Sequence, residues 1–170
     1  MREKTVAITG IVRLLVIDII LIVIAYMLPL LAHRTAFPLY WFDPMRVVVL
    51  AGLLWTANRK NAFLLALTVP LFTFGLIGHP LLLKGLLIAA ELTVNLLLLA
   101  WMERKTGSIF WGMLFSILLS KVFYYLLKGL LVFTLWPAEP LVGVSFGIQL
   151  AVAVGISLCF AWLAARRKNV

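Results

Sequence analysis

The sequence predicts an all-α integral membrane protein: six transmembrane helices in one domain over residues 1–170, with both termini cytoplasmic. Three observations carry this. Of its 170 residues, 65% are hydrophobic and 12% charged, whereas a soluble domain sits nearer half apolar and a quarter charged. Apolar segments recur at about 7–32, 44–57, 62–77, 80–102, 108–133 and 141–165, and a helix needs roughly 20 residues to cross the hydrocarbon core. With six spans, nine basic residues (Arg2, Lys4, Arg59, Lys60, Arg104, Lys105, Arg166, Arg167 and Lys168) fall on the side of the N-terminus, while the opposite loops hold only Arg34. That asymmetry is the positive-inside pattern, and the chain is expected in a cell membrane, bacterial or archaeal.

The first segment is longer than the 7–15 apolar residues of a signal-peptide core and lacks a cleavage site, so it is expected to remain as a span. It carries Arg13 and, deeper, Asp18. The second and third segments are short, and "NRKN" at Asn58–Asn61 separates them. A single helix there would place Arg59 and Lys60 in lipid at high cost. Two short helices, tilted or partly interfacial and joined by a tight turn, are expected instead, with Arg46 at the outer surface where the second begins.

The fourth segment follows the break "GHP" and contains Lys84, Glu91 and Asn95. Positions 84, 88, 91 and 95 repeat as i, i+4, i+7, i+11, which puts the polar groups on one helical stripe. Lys121, Tyr124 and Lys128 share a face of the fifth by the same spacing. In the sixth, Gly143, Gly147, Ala151 and Gly155 recur every four residues, a series that lets helices approach closely in lipid. Ala62 and Ala66 on the third are a shorter instance. Whether the neighbour belongs to this chain or to a partner is left open by the sequence.

Ionisable groups inside spans are costly unless paired or facing water, so each is a functional candidate. Counting about 1.5 Å per residue, Glu91 and Lys121 meet at a middle level. Arg46, Lys84 and Lys128 form an outer level with His79 nearby, where only the loop acids Asp43 and Glu139 match them in depth. The stripes of spans four and five are thus expected to face one another across a cavity open to the outside. Trp41, in the outer loop beside Tyr40, would cover a planar ligand, although an aromatic belt explains most of the tryptophans. The expected substrate site is Trp41, Arg46, His79, Lys84, Glu91, Asn95, Lys121, Tyr124 and Lys128. Its excess of cations would focus the field on an anionic small molecule. The plainer alternative makes Glu91–Lys121 a clamp between helices and lets Lys84 and Lys128 snorkel to the headgroups.

Several classes are disfavoured. The net charge of +9 is distributed as a topology signal rather than a basic patch, so no nucleic-acid partner is expected. Cys159 is the single cysteine, which leaves no internal disulfide and no cysteine metal site. There is no metalloprotease helix motif, nucleophile elbow or phosphate loop, and the two histidines lie in separate outer turns. Neither an enzyme nor a resident cofactor or metal is expected.

The stretch "LTVPLFTFGLIGHPLLLKGLLIAAELTVNLLL", a span, an outer Gly-Pro break and a polar-striped span, together with the basic end "AARRKNV", resembles the S components of energy-coupling factor (ECF) transporters. The resemblance covers nearly the whole chain in pattern. It implies six helices with cytoplasmic termini, an outward binding cavity, capture of a vitamin-like micronutrient, and docking onto a transmembrane coupling protein driven by ATPase subunits. Family docking uses small residues, often Ala-xxx-Ala, on the first helices. Span one lacks that pattern, and Ala62 and Ala66 replace it only in part. The rival reading is a structural membrane subunit similar to the cell-shape protein MreD.

Overall fold

A computed structural model describes residues 12, 14–24, 27, 39–77, 82–134 and 141–168, and among them every regular element is helical. In chain order these are α1 (Leu14–Ile24), a 3-10 turn (Leu39–Phe42), α2 (Pro44–Thr56), α3 (Arg59–Ile77), α4 (Leu82–Thr106), α5 (Ile109–Thr134) and α6 (Phe146–Lys168). Helices α4, α5 and α6 are long and apolar enough to cross a membrane, while the described part of α1 and all of α2 are shorter apolar helices. Residues 7–11, Arg13, residues 25–26 and 28–32 of the expected first span, the "GHP" break with His79 and the loop acid Glu139 lie outside the described residues.

The boundaries follow from local chemistry. Ala57 takes a left-handed conformation (φ 50°) and its N–H returns to the Leu53 carbonyl at 3.0 Å, which ends α2. Asn58 then caps α3: its Oδ1 accepts from the Lys60 N–H at 3.0 Å, satisfying a donor that a helix start leaves orphaned. The third helix therefore begins at Arg59, three residues before the expected 62. Between α4 and α5 the reversal needs Gly107 at φ 62°. Gly112 then lets α5 lie against α4, since a Cβ there would sit 3.1 Å from the Glu103 backbone nitrogen. The sixth helix begins at Phe146, after the expected 141, so Gly143 precedes it rather than sharing its stripe.

Helix α4 is central, packed on one side by α3 and on the other by α5, with α2 against α3 and α6 against α5. Lighter contacts of α6 with α2 and with the 3-10 turn close the ring. The apolar core joins Leu21 of α1, Val49 of α2, Leu65 and Val69 of α3, Leu92 and Leu96 of α4, Met113 and Ile117 of α5 and Phe160 of α6. Ala62 and Ala66 are fully buried within it. Their small side chains serve packing inside the chain and are not an outward docking face.

Basic residues far apart in sequence gather at one end. Arg59 after α2 pairs with Glu103 near the end of α4 at 3.1 Å, and Arg167 near the end of α6 donates to the Leu54 carbonyl of α2. Just beyond this basic end, Trp55, Trp101, Trp111 and Trp162 are each about half exposed. The Lys105 ammonium lies 4.7 Å from the Trp101 ring centroid and the Arg166 guanidinium 4.0 Å from that of Trp162.

Candidate functional site

Four charged side chains from three parts of the chain meet inside the bundle. Arg46, in the first turn of α2, donates through Nη2 to Glu91 Oε1 of α4, and its Nη1 lies 3.3 Å from Asp43 Oδ2. Lys121 Nζ of α5 sits 3.1 Å from Glu91 Oε1 and 3.1 Å from the same oxygen of Asp43. The result is a ring of alternating charge with no net charge. The side chains of Arg46 and Glu91 are 1% and 5% exposed, those of Lys121 and Asp43 25% and 20%. One half of the ring is sealed and the other is reachable.

Helix α2 makes this geometry. Its 13 residues rise only about 20 Å, so from the basic end it reaches partway along α4 and α5 and stops. Exposed tryptophans on three helices mark a common level. Trp55 to Arg46 is nine residues, and Trp101 to Glu91 and Trp111 to Lys121 are ten each, or about 14–15 Å in every case. The ring is therefore level. The expectation that Arg46 starts its helix at the outer surface, on a level with Lys84 and Lys128, is not met. Glu91 draws the guanidinium in, because an unpaired buried arginine would be strongly unfavourable.

Asp43 completes the ring from just outside α2. It holds a left-handed conformation (φ 52°, ψ 58°), and although it stands at the helix N-cap its side chain makes no capping hydrogen bond. Its carboxylate is turned to the cations instead. The fit is imperfect: Oδ2 is buried at ion-pair distance from both, yet neither donor is aligned for a hydrogen bond, and Arg46 Nε has no acceptor.

The other expected site residues are only partly brought together. The Tyr124 ring centroid is 5.8 Å from Lys121 Nζ, so Tyr124 adjoins the ring of charges. Asn95 does not join it. One turn nearer the basic end, 1% exposed, it donates through Nδ2 to Ser116 Oγ of α5 at 3.1 Å, a tie between helices. Lys84 and Lys128 each lie seven residues from a ring member, about 10 Å farther from the tryptophan level. Trp41 is 38% exposed on the 3-10 turn that packs against α6. The Glu91–Lys121 pair forms as the depth argument expects, but within a balanced set rather than under an excess of cations. Asp18 is engaged elsewhere, accepting from Asn61 Nδ2 of α3 at 2.7 Å.

Between α5 and α6 lies a cavity of about 300 Å³ whose wall includes Leu118, Lys121, Val122, Tyr125, Phe146 and Leu150. At its edge Gln149 Nε2 donates to the Tyr125 hydroxyl at 2.6 Å and to the Val144 carbonyl at 2.7 Å. Lys121 is common to this cavity and the ring of charges. On α6 the buried face is Ala153, Ser157 and Phe160, which leaves Gly147, Ala151 and Gly155 exposed. A Cβ added at Gly147 or Gly155 would meet nothing within 4 Å. No protein-family model, curated protein or solved structure matches the chain.

Proposed function

We propose that the chain is a non-enzymatic, substrate-binding membrane subunit that captures a small molecule and passes it to an ATP-driven coupling module. The single observation behind this reading is the half-open ring of charges beside a cavity. Charged groups are drawn together about 15 Å from a level of exposed tryptophans, which is half of a roughly 30 Å hydrocarbon core. A helix that stops at that depth is a device of membrane transport sites, where broken helices present their ends and polar groups to a substrate. The gathered basic residues at the tryptophan end support a cytoplasmic assignment for that end, and with it six spans with both termini inside. On this reading the molecule is a micronutrient importer subunit of the ECF S-component kind. Its partners are the substrate, a transmembrane coupling protein with its ATPase subunits, and the lipid bilayer.

The experiment is capture. The full chain, purified in mild detergent from cells grown in rich medium, should carry a small molecule detectable by native mass spectrometry. Loss of that molecule in Lys121→Met, with helix content and a cooperative unfolding transition retained, is the expected result. A chain that carries no small molecule and gains no thermal stability from any medium fraction would sink the reading.

Two observations favour the second reading, a structural subunit. The ring is neutral and half of it sealed, as suits a clamp, and the exposed Gly147–Ala151–Gly155 face of α6 suits a neighbouring helix. A stable complex with cell-envelope proteins, formed without any small molecule, would select it.

A further inference from the structure

The geometry points to a carboxylate seat between Arg46 and Lys121, which Asp43 fills as an internal placeholder and from which a small ligand with an apolar body displaces it. This deepens the substrate-binding reading and rests on it.

Two acids share the two cations, and they are not equivalent. Glu91 is carried by the middle of α4 with its side chain 5% exposed, and its Oε1 accepts from Arg46 and lies 3.1 Å from Lys121. It belongs to the frame of the site. Asp43 is carried by the residue preceding α2, and its side chain is 20% exposed. It offers a single oxygen to both cations and forms a well-aligned hydrogen bond with neither. A guanidinium presents five donors in a planar fork, and a free carboxylate answers it with two oxygens and about four lone-pair sites. Tethered by its backbone at the helix start, Asp43 leaves Arg46 Nε, on a residue 1% exposed, without an acceptor. Two buried polar atoms unsatisfied at one point mark a seat whose occupant fits poorly. The backbone argues the same way. Asp43 stands at the N-cap in a left-handed conformation and forgoes the capping bond its position offers.

The body of the ligand follows from the neighbouring space. The cavity between α5 and α6 holds about 300 Å³, walled by Leu118, Val122, Phe146 and Leu150 among others, with Lys121 in the same wall. That volume is at the lower end of small-molecule sites. A compact apolar or aromatic group fits there, with its carboxylate directed along Lys121 to the place of Asp43. Asp43 would then be released to water together with the 3-10 turn before it, so binding and movement of this turn are one event.

The test uses thermal unfolding of the full chain in detergent with phenylacetate, against phenylacetamide as its neutral counterpart. Asp43→Ala vacates the seat. Asp43→Asn neutralises it with a residue that tolerates the left-handed conformation, and serves if the alanine variant does not fold. Phenylacetate is expected to stabilise either variant at concentrations at least tenfold lower than it does the wild type, with phenylacetamide showing no such gain. Adding Lys121→Met should abolish the difference. Equal stabilisation by acid and amide in both Asp43 variants, or tighter binding by the wild type, overturns the proposal. A wild-type chain that captures a small molecule while its Asp43 variants ignore the carboxylate would sink the seat alone. Carboxylate-selective Asp43 variants of a chain that captures nothing would instead sink the importer reading alone.

Discussion

Replacing Glu91 by glutamine keeps the shape of the side chain and removes one charge from the ring. Glu91 Oε1 serves two cations at once, Arg46 and Lys121, and hydrogen bonds to charged groups contribute about 1.5–3 kcal/mol against about 0.5–1.5 for neutral ones. Weakening the hydrogen bond from Arg46 accounts for roughly 1 kcal/mol, and the ion pair with Lys121 is lost with the charge. The rest comes from leaving Arg46, 1% exposed, with Asp43 as its remaining acid in the ring, and breaking a buried pair destabilises by about 3–5 kcal/mol in all. At about 2–4 °C per kcal/mol for a chain of this size, the melting temperature in detergent should fall by roughly 6–20 °C. Lys121→Met alone should also destabilise. The double variant leaves Asp43 opposite Arg46 and is neutral again, so it should recover about 1–3 kcal/mol relative to the sum of the single changes. Glu103→Gln is the internal control. Its partner Arg59 is 52% exposed, and a surface pair contributes at most about 1 kcal/mol. Strict additivity of the ring variants, or a Glu91→Gln loss as small as that of Glu103→Gln, would refute the account of a coupled buried ring.

Asn95→Ala should lower stability by about 1–3 kcal/mol, read by thermal unfolding, because Ser116 Oγ loses its partner across the α4–α5 contact. The two glycines Gly112 and Gly155 should respond oppositely to alanine. Gly112→Ala forces a Cβ to within 3.1 Å of the Glu103 backbone and should destabilise by about 1–3 kcal/mol, whereas Gly155→Ala enters open space and should be neutral or gain up to about 1 kcal/mol of helix propensity. In a Cys159→Ser background, cysteines at Lys60 and Thr106 should react with an impermeant thiol reagent from the cytoplasm and one at Ala36 only from outside. Labelling of Lys60 and Thr106 from opposite sides would end the six-span assignment.

Much of this was legible in spacing. The stripe of Glu91 and Asn95 and the face of Lys121 and Tyr124 are helix arithmetic, and the depth count puts Glu91 beside Lys121. Arg46 is legible as a site residue but its depth is not, for a physical reason: a helix that spans the membrane would start at the surface. The length of α2 held the correction, since 13 residues fall about 10 Å short of crossing. Asp43 is legible only as a loop acid at the depth of Arg46; its direction is not, because a residue outside a helix has no periodicity to fix it. Ser116 and Ser120, one turn apart on the buried face of α5, were a readable sign that Asn95 had a partner there. Which way the α6 small-residue face turns depends on how α5 and α6 pack, and no single-helix period determines it.

The ring also has a history in time. Its members are made in the order Asp43, Arg46, Glu91, Lys121, and Glu91 follows Arg46 by 45 residues. At roughly 5–20 residues per second, a ribosome takes about 2–9 s to cover that gap. On the membrane reading, α2 emerges carrying an arginine whose carboxylate on α4 does not yet exist. A short helix whose arginine has only the partly exposed Asp43 for a partner is costly to bury in lipid and would wait at the interface. Nascent chains arrested before α4 should therefore leave α2 open to aqueous reagents, and chains arrested after α5 should shield it. On that reading insertion of the second helix would be deferred to the synthesis of the fourth, and the first half of the protein would acquire its final depth only when the second half has been made.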